Sequence, residues 1–364
     1  MRFMNMPKRF APVVLAGAAL LASATVSSAA VAPSVSSTST TGKTSTGLPR
    51  PELRTIVAGR QASASGQPLD IAQYRNIYKK YGLNVKVEQF TSDHTEISAL
   101  LAGQIQVALD CSTSSILASQ LTSEPLESVF IASTRINDDL YSTHNITTAQ
   151  QLIGKAIAVS SFASTSYGEA LVALKQLKLT PQQVSITAVG DDAQRQAALL
   201  SGAVGASIND RAESNALTPQ GVNVLVDLPK IKNADFPAGN VAATKGFVNS
   251  HPHTMLDLVA AITESTKLFL HNHQLGLQAT MAEEGITHSA AQQYVIYDSQ
   301  GYRPVNGYIK LYDYQESRVI YERSDPQLVS MQPRDAFTDK FVDQLAQSGW
   351  DKANGISTAG IPTT

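Results

Sequence analysis

Hydroxyl side chains crowd one junction of the sequence, where AVSSFASTSYGEAL at positions 158–171 passes from an apolar run into a helical pattern. Five residues at this junction carry a hydroxyl group: Ser160, Ser161, Ser164, Thr165 and Ser166. The first turn of a helix has unpaired backbone N–H groups and partial positive charge, and small hydroxyl side chains add further donors. One or two hydroxyls cap a helix, so the surplus predicts that Ser161, Ser164 and Thr165 hold an anionic or carbonyl group. Capping combined with a solvated loop is the alternative.

Two similar turns come earlier in the chain, each after an apolar run: TSDHT at 91–95 and DCSTSS at 110–115. Polar residues also follow the first predicted strand and a strand near position 208. In open parallel sheets ligands bind outside the carboxyl ends of the strands, so these side chains are expected to share one site. The candidate ligand-binding residues are Arg60, Gln61, His94, Asp110, Ser112, Thr113, Ser161, Ser164, Thr165, Asn209 and Asp210. For the charged members, a helix cap, a local ion pair or plain surface exposure is the alternative role.

Motifs of catalysis and cofactor binding are absent from the sequence, which has no Walker loop, no dinucleotide fingerprint and no nucleophile elbow. Two H-x-H pairs, at 251–253 and 271–273, lack nearby acids or cysteines that would complete a metal site. Cys111 is the only cysteine and is expected to be a small buried residue. We therefore expect no catalytic residue, no cofactor and no metal.

The composition is typical of a globular protein, because 43% of the 364 residues are hydrophobic and 16% are charged. A chain of this length is expected to form about two domains. Its net charge of −2 provides no electrostatic basis for binding nucleic acid or an anionic membrane.

The first 30 residues have the order of a secretory signal peptide: basic residues, an apolar run from Ala11 to Ala24, and small residues up to Ala30. Residues 31–51 are rich in Ser, Thr and Pro, which predicts a solvated linker. No cysteine follows the apolar run to carry a lipid anchor, and a lone Cys111 excludes an intrachain disulfide. We expect a periplasmic or secreted monomer with a cleaved signal peptide.

Alternating strand and helix patterns position the polar turns. The chain reads β-α-β-α-β-α-β from Leu53 to Ala132, and the alternation starts again at Lys155. ALLAGQIQVALD at 99–110 lines up with ALLSGAVGASIN at 198–209, which indicates two similar lobes. After Val241 the patterns are mostly helical, and we interpret them as a return to the first lobe. We predict an α/β fold of two lobes joined by a hinge, each a mainly parallel sheet flanked by helices.

The predicted organisation assigns the whole chain to consecutive parts. They are a signal peptide (1–30), a linker (31–51), the first part of lobe 1 (52–138), lobe 2 (139–240), the return to lobe 1 (241–350) and a flexible tail (351–364). Seven of the twelve tyrosines fall at 294–321, where they would either line the cleft or pack between the C-terminal helices.

Four pieces of the sequence, taken in order, resemble the substrate-binding proteins of ABC importers that bind nitrate, taurine, aliphatic sulfonates and thiamine precursors. They are YKKYGLNVKV at 78–87, ALLAGQIQVA at 99–108, LIGKAIAV at 152–159 and residues 197–206. The resemblance implies a type II periplasmic binding protein fold that closes on a small-molecule ligand, without catalysis. It also implies delivery of a sulfonate, nitrate, a pyrimidine or an aromatic acid to an ABC permease in the inner membrane. An enzyme on the same fold and a sensor module for a receptor are the alternatives.

Overall fold

The computed structural model contains two lobes, each built on a five-stranded sheet. It describes residues 45–61, 66–133, 136, 138–162, 164–214, 217–231, 239–301, 307–308, 327 and 330–357. The predicted signal peptide lies outside these residues, as do most of the predicted linker and most of the tyrosine-rich segment at 294–321. Within the described part of the chain, none of the helices combines the length and apolar character needed to cross a bilayer.

Lobe 1 is the lobe that contains the first sheet. Its strands are β1 (Thr55–Gln61), β2 (Asn84–Phe90), β3 (Val107–Cys111), β4 (Leu126–Ser133) and β10 (Gly239–Thr244), in the order β2-β1-β3-β10-β4. Strand β1 runs parallel to β2 and β3, whereas β10 lies between β3 and β4 and runs antiparallel to both. The chain therefore returns to lobe 1 at β10.

Lobe 2 is the lobe that contains the second sheet. Its strands are β5 (Asp138–Ser142), β6 (Ala156–Val159), β7 (Ser185–Ala188), β8 (Ala206–Asp210) and β9 (Asn223–Val226), in the order β7-β6-β8-β5-β9. Strand β6 runs parallel to β7 and β8, and β5 runs antiparallel to β8 and β9.

The two-lobe α/β fold is confirmed. Each sheet is mixed but mainly parallel, because four of its strands run in one direction and one strand, β10 or β5, runs antiparallel to them. The antiparallel strands are the two that follow a passage of the chain between the lobes. Strand β5 follows the first passage and β10 follows the second, so each enters its sheet without the crossover helix that keeps neighbouring strands parallel.

Helices pack on both sheets. Those of lobe 1 are α1 (Gln67–Tyr74), α2 (Ile77–Lys80), α3 (Asp93–Leu101), α4 (Thr113–Ser119), α9 (Lys245–Ser250), α10 (Pro252–His271), α11 (His273–Glu284), α12 (His288–Gly301), α13 (Pro333–Ala336), α14 (Lys340–Gln347) and α15 (Trp350–Ala353). Those of lobe 2 are α5 (Ala149–Leu152), α6 (Thr165–Gln176), α7 (Asp192–Leu200) and α8 (Arg211–Ser214), with 3-10 turns at Pro181–Gln183, Thr218–Gln220 and Leu228–Lys230.

Each lobe has its own apolar core. In lobe 1, Ile56, Leu258 and Phe269 belong to one buried cluster between the sheet and its helices. In lobe 2, Ile157 and Leu174 belong to another. Because each core is closed within its lobe, burial of apolar side chains stabilises the lobes separately and leaves polar strand ends at the boundary between them.

Candidate functional site

The predicted polar turns lie at the carboxyl ends of parallel strands in both lobes. In lobe 1 they follow β1, β2 and β3, and in lobe 2 they follow β6 and β8. Helix α4, which begins after the β3 turn, contacts helix α6, which begins after the β6 turn. A second contact joins α8 of lobe 2 to α12 of lobe 1. The turns of the two lobes therefore meet at one boundary, which is where ligands bind in open α/β sheets.

Asp93 connects the two lobes at this boundary. Its Oδ1 atom accepts hydrogen bonds from Gln61 Nε2 at 3.0 Å and from the backbone N–H of Ser112 at 3.3 Å. The same carboxylate accepts a hydrogen bond from the backbone N–H of Thr165, the first residue of α6 in lobe 2. Asp93 is only 5% exposed. A single buried carboxylate thus receives donors from two turns of lobe 1 and from one helix N-terminus of lobe 2.

Burial of these acids changes their protonation. Burial raises the pKa of Asp93 to about 6, the hydrogen bond from Gln61 opposes the shift, and the charge of Asp110 adds to it. Glu96 is fully buried and accepts a hydrogen bond at Oε2 from Gln61, while its Oε1 has no partner among the described residues. Burial raises the pKa of Glu96 to about 8, and the charge of Asp93 adds to the shift. At neutral pH, Glu96 is therefore mostly protonated while Asp93 is mostly ionised.

The turn after β3 is held by a residue that the sequence did not single out. Asn240 in β10 is fully buried, and its Nδ2 donates to the Cys111 carbonyl at 3.0 Å and to Thr113 Oγ1 at 3.1 Å. Ser112 is the N-cap of α4, because its Oγ accepts a hydrogen bond from the backbone N–H of Ser115. Ser112 and Thr113 therefore lie at the lobe boundary, next to strand β10.

Asp110 lies beside the start of β10. A Cβ atom at position 239 would collide with Oδ1 of Asp110, so glycine at that position provides the room for this carboxylate. Since Gly239 is the first residue of β10, Asp110 lies where the chain re-enters the sheet of lobe 1.

Most of the hydroxyls in the turn after β6 bond to one another. Ser164 Oγ caps α6 by accepting from the Tyr167 N–H at 3.2 Å and donates to the Ser161 carbonyl at 2.7 Å. Ser166 Oγ accepts from the Ser160 N–H at 2.9 Å and lies 3.1 Å from Ser160 Oγ. Ser161 Oγ is buried and has no hydrogen-bond partner among the described residues. Most of the hydroxyl groups at this junction therefore form a local hydrogen-bond network. Ser161 Oγ is outside that network and could bond to a solute.

Two aromatic rings accompany this turn and were missed by the sequence reasoning, which considered the tyrosines at 294–321 instead. Phe162 is 61% exposed and packs edge-on against Tyr167, with ring centroids 6.0 Å apart. Tyr167 packs against buried apolar clusters of both lobes. An exposed aromatic ring next to a polar turn offers a flat apolar surface to a solute.

In lobe 2, Asn209 and Asp210 are buried and are tied to the N-terminus of α7. Asn209 Nδ2 donates to Asp192 Oδ1 at 3.0 Å, and the Asp210 N–H donates to the same oxygen at 3.0 Å. Asp192 also pairs with Arg195 at 2.7 Å. These contacts give Asn209 a structural role in joining β8 to α7.

A buried pair of acids lies next to them. Asp138 opposes Asp210 in the pairing of β5 with β8, and its side chain shares a hydrogen bond with Glu169 of α6. Burial raises the pKa of Asp138 to about 7 and raises that of Glu169 well above its ordinary value. Because the two carboxyl groups share a hydrogen bond, one of them holds a proton at neutral pH.

The remaining predicted residues are placed differently. Arg60 is buried and forms ion pairs with Asp70 and, at 2.5 Å, with Glu284, so carboxylates of its own lobe balance its charge. His94 is exposed, and its carbonyl accepts a hydrogen bond from Ser98. Unlike Arg60 and His94, Gln61 contacts the acids of the site, because its Nε2 donates to Asp93 Oδ1 and to Glu96 Oε2. Over the described ranges, no group of three or more His, Cys, Asp or Glu residues is arranged to hold a metal ion.

Comparison with known proteins identifies the family. A model of the NMT1/THI5-like family matches residues 66–274, which is more than half of the chain, and the chain belongs to that family. No curated protein sequence is significantly similar to it.

Solved structures share the fold at low sequence identity. The alkanesulfonate-binding protein SsuA of Xanthomonas axonopodis pv. citri, bound to MOPS, has a TM-score of 0.64 at 14% identity and covers 79% of this chain and 98% of its own. The periplasmic nitrate-binding protein NrtA of Synechocystis PCC 6803 has a TM-score of 0.66 at 15% identity, with coverages of 85% and 92%. The desulfurization enzyme DSZB has a TM-score of 0.56 at 13% identity, with coverages of 81% and 99%.

Proposed function

We propose that this member of the NMT1/THI5-like family is an extracytoplasmic solute-binding protein that captures a small organic or anionic solute between its lobes and delivers it to an ABC permease in the inner membrane. The solute classes compatible with the family resemblance are a sulfonate, nitrate, a pyrimidine or an aromatic acid. The observation that carries the proposal is the meeting of strand-end turns from both lobes, joined by the contact of Asp93 with Thr165.

The arrangement supports capture by closure. Among the described residues, the chain leaves lobe 1 after β4 and returns to it after β9, and these two passages can act as a hinge. A solute that contacts both sets of turns binds the closed arrangement better than an open one, and this differential affinity is what drives closure.

The chemistry of the boundary fits reversible binding. It offers backbone N–H groups at the start of α6, the hydroxyl of Ser161, the carboxylates of Asp93 and Asp110, and the exposed ring of Phe162. A few polar groups that fix orientation beside an aromatic surface are typical of small-molecule sites. Each polar group that pairs with a neutral partner contributes roughly 0.5–1.5 kcal/mol, and burial of apolar solute surface against the Phe162 ring adds to their sum.

Catalysis is the second candidate, because an enzyme shares the fold. The thiol at the boundary argues against it. Burial raises the pKa of Cys111 well above its ordinary value, and the nearby charges of Asp93 and Glu96 add to the shift. A protonated, fully buried thiol is a poor nucleophile.

A thermal-shift screen of the exported protein against sulfonates, nitrate, pyrimidines and aromatic acids tests the proposal. We expect one class to raise the melting temperature in a concentration-dependent manner, followed by one-to-one binding in titration calorimetry. Recovery of the solute unchanged after prolonged incubation with the protein would support binding over catalysis. Absence of any stabilising solute across these classes, or steady conversion of the bound solute, would contradict the proposal.

A further inference from the structure

We propose that Gln61 is a specificity-determining residue whose amide can only accept hydrogen bonds from a solute, so that the site selects a solute that carries an N–H or O–H donor. Such solutes are the amino- and hydroxyl-bearing members of the classes named above: an aminosulfonate, an aminopyrimidine or a hydroxylated aromatic acid. The inference rests on the proposed function and narrows its solute class. It is drawn from two hydrogen bonds that fix the orientation of one amide group.

The amide of Gln61 lies at the edge of lobe 1 that carries the polar turns. Gln61 is the last residue of β1, and its side chain is half-buried. Strand β1 runs parallel to β2 and β3, so its carboxyl end lies beside the turns that follow those two strands. The side chain bonds to Asp93 and Glu96, which belong to the first turn of α3, directly after β2. The amide is therefore part of the polar edge at which ligands bind in open α/β sheets.

Two acids of lobe 1 occupy the nitrogen of this amide. Gln61 Nε2 donates to Asp93 Oδ1 at 3.0 Å and to Glu96 Oε2 at 3.0 Å. An amide nitrogen carries two hydrogens, so both are used inside the lobe. Asp93 is mostly ionised at neutral pH and can only accept, so the amide must face it with its nitrogen and not with its carbonyl oxygen. The nitrogen has no hydrogen left for a solute.

The carbonyl oxygen of the same amide is left to meet the solute. The oxygen and nitrogen of an amide lie on different sides of its carbon, so Oε1 is turned away from the two acids. Among the described residues, none donates a hydrogen bond to Gln61 Oε1. A solute that displaces water from this oxygen without offering a donor leaves it unsatisfied, which weakens binding. A solute with a donor at that place replaces the lost hydrogen bond.

Matched solutes test this preference directly. Each pair differs only by the exchange of a donor group for a methyl group. The pairs are taurine with propanesulfonate, an aminopyrimidine with the methylpyrimidine substituted at the same carbon, and para-hydroxybenzoate with para-methylbenzoate. Titration calorimetry at pH 7.5 compares the two members on wild type. In a pair that binds, we expect the donor-bearing member to bind about two- to tenfold more tightly where the donor is neutral, and more than about tenfold more tightly for the ammonium of taurine.

Two variants assign the preference to Gln61. Gln61→Leu removes the whole amide, whereas Gln61→Lys keeps a nitrogen donor for the two acids and removes only the acceptor. In both variants we expect the difference in affinity within a pair to disappear. A residue with a purely structural role would weaken both members equally and leave the difference in place. Gln89→Leu removes an exposed amide near the end of β2 and should leave both affinities unchanged.

Three outcomes would overturn the inference. They are equal or tighter binding of the methyl member by wild type, a donor preference that persists in Gln61→Leu and Gln61→Lys, and tight binding of nitrate, which has no donor, to wild type. The first and third need no variant, so they are measured even if the variants fail to fold. In all three a solute binds, so the proposed function stands while the inference fails. If no probe of any class binds, the proposed function fails, and the inference that rests on it fails with it.

Discussion

The carboxylate of Asp93 accepts a hydrogen bond from the backbone N–H of Thr165, and this bond joins helix α3 of lobe 1 to the first residue of α6 in lobe 2. Hydrogen bonds to ionised groups contribute roughly 1.5–3 kcal/mol. The bond therefore stabilises the arrangement in which these two residues meet. Under the proposed function, a solute that contacts both lobes stabilises the same arrangement further.

Closure on the solute should be visible as compaction. We expect the passages near 133–147 and 227–243 to act as the hinge, and the radius of gyration measured by small-angle X-ray scattering to fall when a tight solute is added. The proposed boundaries between the lobes, after residues 138 and 240, fall in the same two passages. If a solute of confirmed micromolar affinity left the scattering curve unchanged, closure about this hinge would be wrong.

Alanine variants of Ser161 and Ser164 should distinguish an effect on solute binding from an effect on the stability of the solute-free protein. Ser164→Ala removes the N-cap of α6 and should lower the free energy of unfolding of the solute-free protein by roughly 0.5–2 kcal/mol. Ser161→Ala removes a hydroxyl that has no partner among the described residues, so it should leave that free energy almost unchanged.

The same pair of variants tests contact with the solute. Ser161→Ala should weaken solute binding by about 0.5–1.5 kcal/mol, measured by titration calorimetry. Ser201→Ala at an exposed helix end is the matched control. If Ser161→Ala bound the solute with unchanged affinity, the turn at 160–166 would cap helix α6 without contributing to solute binding.

Asn240 should be important for stability as well as for the site. Asn240→Ala removes hydrogen bonds to the Cys111 carbonyl and Thr113 Oγ1 and leaves Ser128 Oγ without its acceptor. Each unsatisfied buried group costs about 1–3 kcal/mol, so urea denaturation should show a loss of roughly 2–4 kcal/mol. Asn84→Ala, at an exposed position, should change stability by less than about 0.5 kcal/mol. Similar midpoints for the two variants would contradict the role assigned to Asn240.

Asp257 should make stability depend on pH. Its side chain is fully buried, and neither carboxylate oxygen has a partner among the described residues. Burial raises its pKa from 3.8 to about 8, and the charge of Glu52 adds to the shift. Between those two values the folded protein holds a proton that the unfolded chain has released, so stability is full at low pH and is lost as pH rises toward 8.

The measurement is the free energy of unfolding of wild type and Asp257→Asn between pH 5 and pH 8.5. One proton corresponds to a slope of about 1.4 kcal/mol per pH unit. We expect wild type to lose stability with rising pH more steeply than Asp257→Asn by about that amount. Parallel profiles would show that Asp257 does not hold a proton in the folded protein.

The sequence predicted the strand-end turns because their signals are local. A small polar residue that follows an apolar run and precedes a helical pattern indicates a helix start, and Ser112 and Ser164 are both N-caps. The apolar spacing from Asp70 to Tyr81 predicts a single helix, and this segment shows the limit of such signals. It is interrupted at Asn76, which has a φ of 54°, so the chain forms α1 and α2 instead of one helix.

The features that depend on distant contacts could not be predicted. Asp93 is in the first turn of α3, where an acidic residue is ordinary because it complements the helix dipole, and nothing in TSDHT points to Thr165. Asn240 lies in a strand whose antiparallel direction is not encoded in its apolar pattern. Arg60 was predicted at the site because it ends a strand, but Asp70 and Glu284 bind it inside lobe 1.

A crystal structure of the protein, grown with the solute that most raises its melting temperature, shows where the solute binds. We expect one solute between the lobes, in contact with the turn at 160–166 of lobe 2 and with residues at the ends of β1 or β3 of lobe 1. A solute held by one lobe alone, away from these turns, would contradict this expectation.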